Sequence, residues 1–198
     1  MLVRHGRTRE TRAAVFPAAT GASAVATGVP VDGPALDEAV ELGGHLPRVD
    51  RCWTSHARRT AATAAALGWE PAEPVAELSG WELGTWTGRS LADVHEHDPA
   101  GLARWRADPH ATPHGGEGFD ALRTRMGRVL ERAAQAGGTT GLVVDGDLVV
   151  AAVLEGLSLP TTAMWSIDVA PCSVTELRLS TSGGGWRLRL LGWRPRPG

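Results

Sequence analysis

A histidine set between two arginines stands near the start of the chain, in the string Met1-Leu2-Val3-Arg4-His5-Gly6-Arg7-Thr8. A neutral imidazole attacks phosphorus well, forms a phosphohistidine and so splits one difficult displacement into two easier ones. Flanking guanidiniums would hold phosphate oxygens in charge-assisted, often bidentate bonds and stabilise charge on the transferring group. Gly6 would let the backbone come close to a bound group, and Thr8 joins it as a substrate-binding candidate. The plainer reading of His5 is a structural histidine at a strand end. A further arginine, Arg59, lies in SHARRTAATAAALG, on the first turn of a helix that follows a strand. The string Asp145-Gly146-Asp147, directly after the apolar LVV, adds two carboxyls suited to proton transfer.

These groups need strands to deliver them to one place, and loops at the C-terminal ends of parallel strands are where α/β folds put ligands. MLV reads as a short strand, ALDEAVELGGHL as a helix, RCWTS as a second strand and ARRTAATAAALG as an Ala-rich helix closed by Gly68. The stretch from Trp69 to Leu78 reads as loop and short strand. FDALRTRMGRVLERAAQAGG has helical periodicity, TTGLVVD is a buried strand, and LVVAAVLEGLSL is a helix ending before Pro160. SVTELRLS and GWRLRLLGW alternate around a Ser-Gly-Gly-Gly turn, as a hairpin does. Alternating strands and helices predict one α/β domain over residues 1–198, with a mostly parallel central sheet and helices on both faces. Residues 78 to 118, rich in Gly, Trp, His and Pro, read as a cap of loops and short helices, the kind of segment that often carries sites.

Composition removes several function classes. A formal charge of −2, with both signs scattered, gives no footprint for nucleic acid or an anionic membrane. The longest apolar stretch is broken by Asp145, Asp147 and Glu155, so no membrane span is predicted, and no signal-like segment precedes the first strand. Two cysteines, Cys52 and Cys172, are too few for a disulfide framework and lack metal-ligand spacing. The expectation is a cytoplasmic protein. His95 and His97, two apart in a predicted helix, point to different sides and make poor ligands. The cap histidines, His110 among them, read as solvated, with His114 the exception to follow because it adjoins a Gly-Gly-Glu loop. Eight tryptophans against two phenylalanines and no tyrosine is an unusual balance, and Trp81, Trp86 and Trp105 fall in the cap. They either pack it or line a pocket for a bulky organic group.

Several motifs in order resemble the histidine phosphatase superfamily, also called phosphoglycerate-mutase-like, and particularly its cobalamin-pathway phosphatase-like branch. LVRHGRT is similar to the family's opening motif and SHARRTAATA to its Ser-Pro-Leu-x-Arg-Ala-x-Gln-Thr-Ala helix start. LSGWELGTWTG and PHGGEG resemble its Leu-x-Glu-x-x-Phe-Gly-x-Trp-Glu-Gly and Pro-x-Gly-Gly-Glu-Ser segments, and LPTTAMWSIDVAPCSVTELRLSTSGGGWRLRLL its closing strands. The resemblance implies a three-layer α/β/α fold with His5 as the phosphorylated residue and Arg4 and Arg59 as phosphate ligands. It also implies two departures. Where the family places a second histidine after the LVV strand, this chain has Gly146, or Asp145 with a loop one residue shorter; where it places an acid glutamate, this chain has Gly80. Three functions stay open. One is a phosphate-ester hydrolase with a substituted acid, for which Glu82, Glu117, Asp145 and Asp147 are candidates. Another is a repurposed biosynthetic enzyme in which Asp145 or Asp147 does proton-transfer chemistry. The third is a non-catalytic pseudophosphatase that binds a phosphorylated ligand. Glu82, Glu117, Trp81 and Trp86 join Gly6 and Thr8 as substrate-binding candidates, and the resemblance implies a small-molecule substrate, requires no cofactor or metal, and leaves a homodimer open.

Overall fold

Strand polarity and burial on both faces of the sheet decide how these segments assemble. In the computed structural model, which describes residues 1–17, 28–180 and 183–195, β1 (Leu2–Arg4) leads into α1 (Arg9–Arg12), a single turn. The Thr8 hydroxyl accepts from the Thr11 amide while the Thr11 hydroxyl accepts from the Thr8 amide, a reciprocal cap. Then come α2 (Gly33–His45), β2 (Arg51–Thr54), α3 (Arg58–Ala66) and the short β3 (Ala72–Pro74). Two short helices follow in the cap, α4 (Leu91–His97) and α5 (Pro99–Ala107), capped by the side chains of Ser90 and Asp98. The rest is α6 (Phe119–Ala136), β4 (Thr140–Val144), α7 (Gly146–Gly156), a 3₁₀ turn over Thr161–Ser166, β5 (Val174–Leu179) and β6 (Trp186–Trp193).

The six strands run in the order β3-β2-β4-β1-β5-β6, the first four mutually parallel and β5 antiparallel to both of its neighbours. Side chains alternate between two apolar layers, as strand geometry requires. Leu2, Trp53, Leu142 and Val144 pack with residues of α6 and α7, whereas Val3, Cys52, Val143 and Val174 pack with Leu42, Ala64 and Leu67 of the α2–α3 side. All five residues of β4 are buried, as expected of a central parallel strand covered on both faces. Every residue from Leu148 to Leu154 of α7 is buried too, so this helix lies inside the molecule and not on its surface. The helix expected over Leu148–Leu159 begins earlier, at Gly146, and ends at Gly156. The hairpin is present as β5 and β6, with Ser182 of its turn outside the described residues. One element was not foreseen: α1, whose four residues are too few to show a period. Among the described residues no helix is long and apolar enough to cross a membrane.

One arginine fastens the cap to this frame. Arg125 on α6 donates to the backbone carbonyls of Glu77, Ser79 and Gly80 at the start of the cap and makes a two-pronged pair, at 3.0 and 2.8 Å, with Glu117 at its end. Both side chains are largely buried. Removing one member of such a pair strands the other in an apolar setting. Arg125→Met is therefore expected to cost about 3 kcal/mol in urea denaturation, with the cap tryptophans reporting the loss by fluorescence at lower urea than the backbone signal does.

Candidate active site

The strand order places three C-terminal strand ends side by side. β1 and β4 are direct neighbours, with Arg4 opposite Val144, and β2 flanks β4, with Thr54 opposite Val143. The next residues of each strand therefore emerge together: His5 from β1, Asp145 from β4 and, one helical turn beyond β2, Arg59 from α3. His5, Arg59 and Asp145 are 6%, 2% and 5% exposed. The Arg59 guanidinium grips both oxygens of Asp145, Nε to Oδ1 at 2.7 Å and Nη2 to Oδ2 at 2.6 Å. His5 completes the arrangement, with Nδ1 2.6 Å from the Gly6 carbonyl and Nε2 2.9 Å from Asp145 Oδ1. A carbonyl oxygen can only accept, so Nδ1 carries a proton.

Two carboxyls two positions apart have opposite electrostatics. Burial alone would raise the pKa of Asp145, but the Arg59 charge and its hydrogen bonds, with a contribution from His5, hold it well below the usual carboxylate range. The ionised Asp145 carboxylate thus faces Nε2 at 2.9 Å, and both ring nitrogens of His5 are engaged. Asp147, on the first turn of α7, is half-buried and has no guanidinium bonded to it; its Oδ1 accepts only from the adjacent Leu148 amide at 3.1 Å. Burial and the neighbouring Asp145 charge push it up to about 6. A pair of groups driven apart in this way is a recurrent mark of acid–base sites.

Arg4 takes a different course from Arg59. Its Nη1 donates to the Val169 carbonyl, and its stem crosses Gly146 so closely that a Cβ there would lie 3.0 Å from Arg4 Nε and 3.1 Å from Cδ. Any side chain at 146 must displace Arg4. The group opens into a cavity of about 590 Å³, walled by Thr8, Glu10, Phe16, Trp81, Leu83, Trp105, Phe119, Met164, Trp165 and Asp168 among others. Its roof is an aromatic cluster in which Trp81 and Trp105 lie 5.4 Å apart and Trp105 and Trp165 4.7 Å apart, centroid to centroid.

Comparison with known proteins adds the lineage. The profile of the Histidine phosphatase superfamily (branch 1) matches residues 1–194. The chain belongs to that superfamily. It is 28% identical to the adenosylcobalamin/alpha-ribazole phosphatase of Escherichia coli K12 over 102 residues, a match spanning 50% of each chain. Among solved structures, the alpha-ribazole phosphatase of Shigella flexneri superposes with a TM-score of 0.81 at 22% identity, covering 98% of this chain and 95% of that one. A mycobacterial glucosyl-3-phosphoglycerate phosphatase, solved in complex with VO3, gives 0.83 at 22% identity, with 96% of each chain covered. At that identity the structures show a shared fold.

Arg4, His5, Thr8, Arg59, Trp81, Asp145 and Asp147 all border this one cavity. Others among the candidates stand elsewhere. Gly6 does not border the cavity; a Cβ there would fall 2.6 Å from Val31 Cγ1, so its glycine serves close packing of the loop near α2. Glu82 is exposed and off the wall, its carbonyl accepting from the Glu117 amide at 2.7 Å. Glu117 is spent on Arg125. Trp86 is buried behind the wall, stacked on Phe16 at 5.7 Å, while the Trp81 indole donates to the Glu117 carbonyl at 2.7 Å. His114 does not reach the cavity either: it packs 5.2 Å from Trp86, takes the Gly116 amide on Nδ1, and burial lowers its pKa. His97 and His110 pair with Asp93 and Asp120 at the surface. Among the described residues no cluster of three or more His, Cys, Asp or Glu side chains is placed to hold a metal ion.

Two carboxylates on the wall were missed, Glu10 and Asp168. Glu10 lies on the one-turn helix α1, and Asp168 lies just beyond the 3₁₀ turn. Neither stands in a periodic segment, though Glu10's closeness to the Arg-His-Gly string was a usable signal.

Proposed function

We propose that this chain uses the phosphatase cavity for proton transfer on an organic substrate, with Asp147 as the working carboxyl and the His5–Asp145–Arg59 assembly as its rigid floor. One observation carries the reading: the Asp145 carboxylate occupies both the Arg59 fork and the His5 Nε2, the groups that would hold and attack a phosphoryl group. With Nδ1 committed to the Gly6 carbonyl, Nε2 is the nitrogen that would have to attack, and the Asp145 oxygen 2.9 Å away stands in front of it. Asp147 is different, being free of any ion pair among the described residues and poised at about 6. Above that pH its carboxylate accepts a proton from the substrate, the bonding pair stays on the substrate, and the proton is held on Asp147 until it returns to the product. The buried Trp81, Leu83, Trp105 and Phe119 give the cavity an apolar wall for the body of that substrate.

Phosphate-ester hydrolysis is the second reading, favoured by the gathering of Arg4, His5 and Arg59 in one cavity and by the phosphatases among the relatives. It requires a substrate phosphate to displace Asp145 from Arg59, after which Asp147, when protonated, would serve the leaving group. A single experiment separates the two. The wild type and His5→Ala are incubated with p-nitrophenyl phosphate, α-ribazole 5′-phosphate and a phosphoglycerate ester, and phosphohistidine is sought by mass spectrometry. The expected result is equal, background-level phosphate release from both proteins and no phosphoryl adduct. His5-dependent release would install the second reading instead.

A further inference from the structure

We infer that the cavity takes an organic cation: an apolar, preferably aromatic body lying against the tryptophan roof, with a protonated amine directed toward Asp147, Glu10 and Asp168. This names a substrate class for the proton-transfer site and so rests on that reading. Four carboxyls and three guanidiniums line the wall. Arg59 is closed by Asp145, while Arg4 donates to the Val169 carbonyl and keeps a buried Nε without a partner, in the fields of Asp147, Asp145 and Asp168. Arg106, on the last turn of α5, and Asp168 are both exposed. Asp147, Glu10 and Asp168 form no ion pair with any described residue. With the Asp145–Arg59 pair set aside, three carboxyls face two guanidiniums, a balance that favours a cation over a phosphate dianion.

The walls fit the same ligand. Trp81 and Trp165, 5.4 and 4.7 Å from the Trp105 centroid, join it in lining the cavity with aromatic rings, whose quadrupoles attract an alkylammonium. Phe119, Leu83 and Met164 add apolar surface for the body of the molecule. A volume of about 590 Å³ lies in the range of sites that enclose a small organic molecule.

A matched series tests the inference on the full chain: 3-phenylpropylamine, 3-phenylpropionamide, 3-phenylpropionate and 3-phenylpropyl phosphate, each titrated calorimetrically at pH 7.5. The amine is expected to bind at least about tenfold more tightly than the amide, the difference of a desolvated cation–π and ion-pair contact, and the two anions are expected to give no heat. Glu10→Gln with Asp168→Asn should weaken the amine several-fold and leave the amide unchanged, with melting temperatures confirming that the double variant is folded. Tighter binding of either anion than of the amine, or binding of none of the four, overturns the inference. The outcome is separable from the phosphatase assay. A preferred anion alongside absent His5-dependent hydrolysis removes the cation and leaves proton transfer standing; a preferred amine alongside His5-dependent hydrolysis does the reverse.

Discussion

Asp145→Ala is expected to lose about 3–5 kcal/mol of stability, and vanadate or orthophosphate is expected to return a large part of it. Arg59 is 2% exposed and its fork is closed by this one carboxylate. Deleting the carboxylate leaves a guanidinium and the His5 Nε2 facing an empty space in a poorly solvated site, and an unpaired buried charge is far costlier than a missing surface contact. The same deletion recreates an oxyanion site from Arg59 and His5, with Arg4 alongside. An anion that binds only the folded variant stabilises it by mass action, by about 2.7 kcal/mol at a hundred times its dissociation constant. Urea denaturation of the wild type and the variant, with and without vanadate, reads both effects. The wild type should be indifferent to the anion, because its own carboxylate already fills the position. A variant as unstable as expected but unmoved by vanadate or phosphate would show that Asp145 is only a structural counter-ion and not a resident substitute for phosphate.

How much of this was legible in the chain follows from which facts are local. Arg4 and His5 at a strand end, and Arg59 on the first turn of the following helix, are local features of short strings, and they were readable as such. The Asp145-Gly146-Asp147 string was readable as a pair of candidate carboxyls. That one of them closes on Arg59 was not, because the contact exists only when β4 lies between β1 and β2, a neighbour relation between segments far apart in sequence. The cap misled for a different reason. Glu82 and Glu117 sit in non-periodic backbone, where nothing in the spacing says which way a side chain points. Glu117 proved to be the anchor of Arg125, a partner on a separate helix, and Glu82 faces solvent. Gly6 illustrates the commonest ambiguity of a glycine beside a reactive residue. It leaves room, but for Val31 and not for a ligand.

Asp147→Asn should act with the opposite sign to Asp145→Ala, and only above about pH 4. In the folded protein the Asp147 carboxyl is pushed up to about 6, above the ordinary carboxylate value near ~3.9 that it regains on unfolding. Between those values the folded state binds more protons than the unfolded one, so stability falls as pH rises through this window. The contribution is fully present below about pH 4 and gone above about pH 6, a difference of up to about 3 kcal/mol. Asparagine keeps the shape and never ionises. The variant should therefore match the wild type near pH 4 and exceed it by up to about 3 kcal/mol at pH 8, as read by urea midpoints across that range. A gain independent of pH would mean that packing, not charge, explains it. The physical reason is plain in the contacts: Asp147 holds no arginine, makes only the hydrogen bond to the next amide, and suffers the field of Asp145. Folding gains nothing from ionising this group at neutral pH, the cost expected of a carboxyl held for chemistry as proposed above. The substitution that stabilises the fold is thus the one expected to abolish turnover, whereas the neighbouring Asp145, two positions away, is retained for the floor it completes.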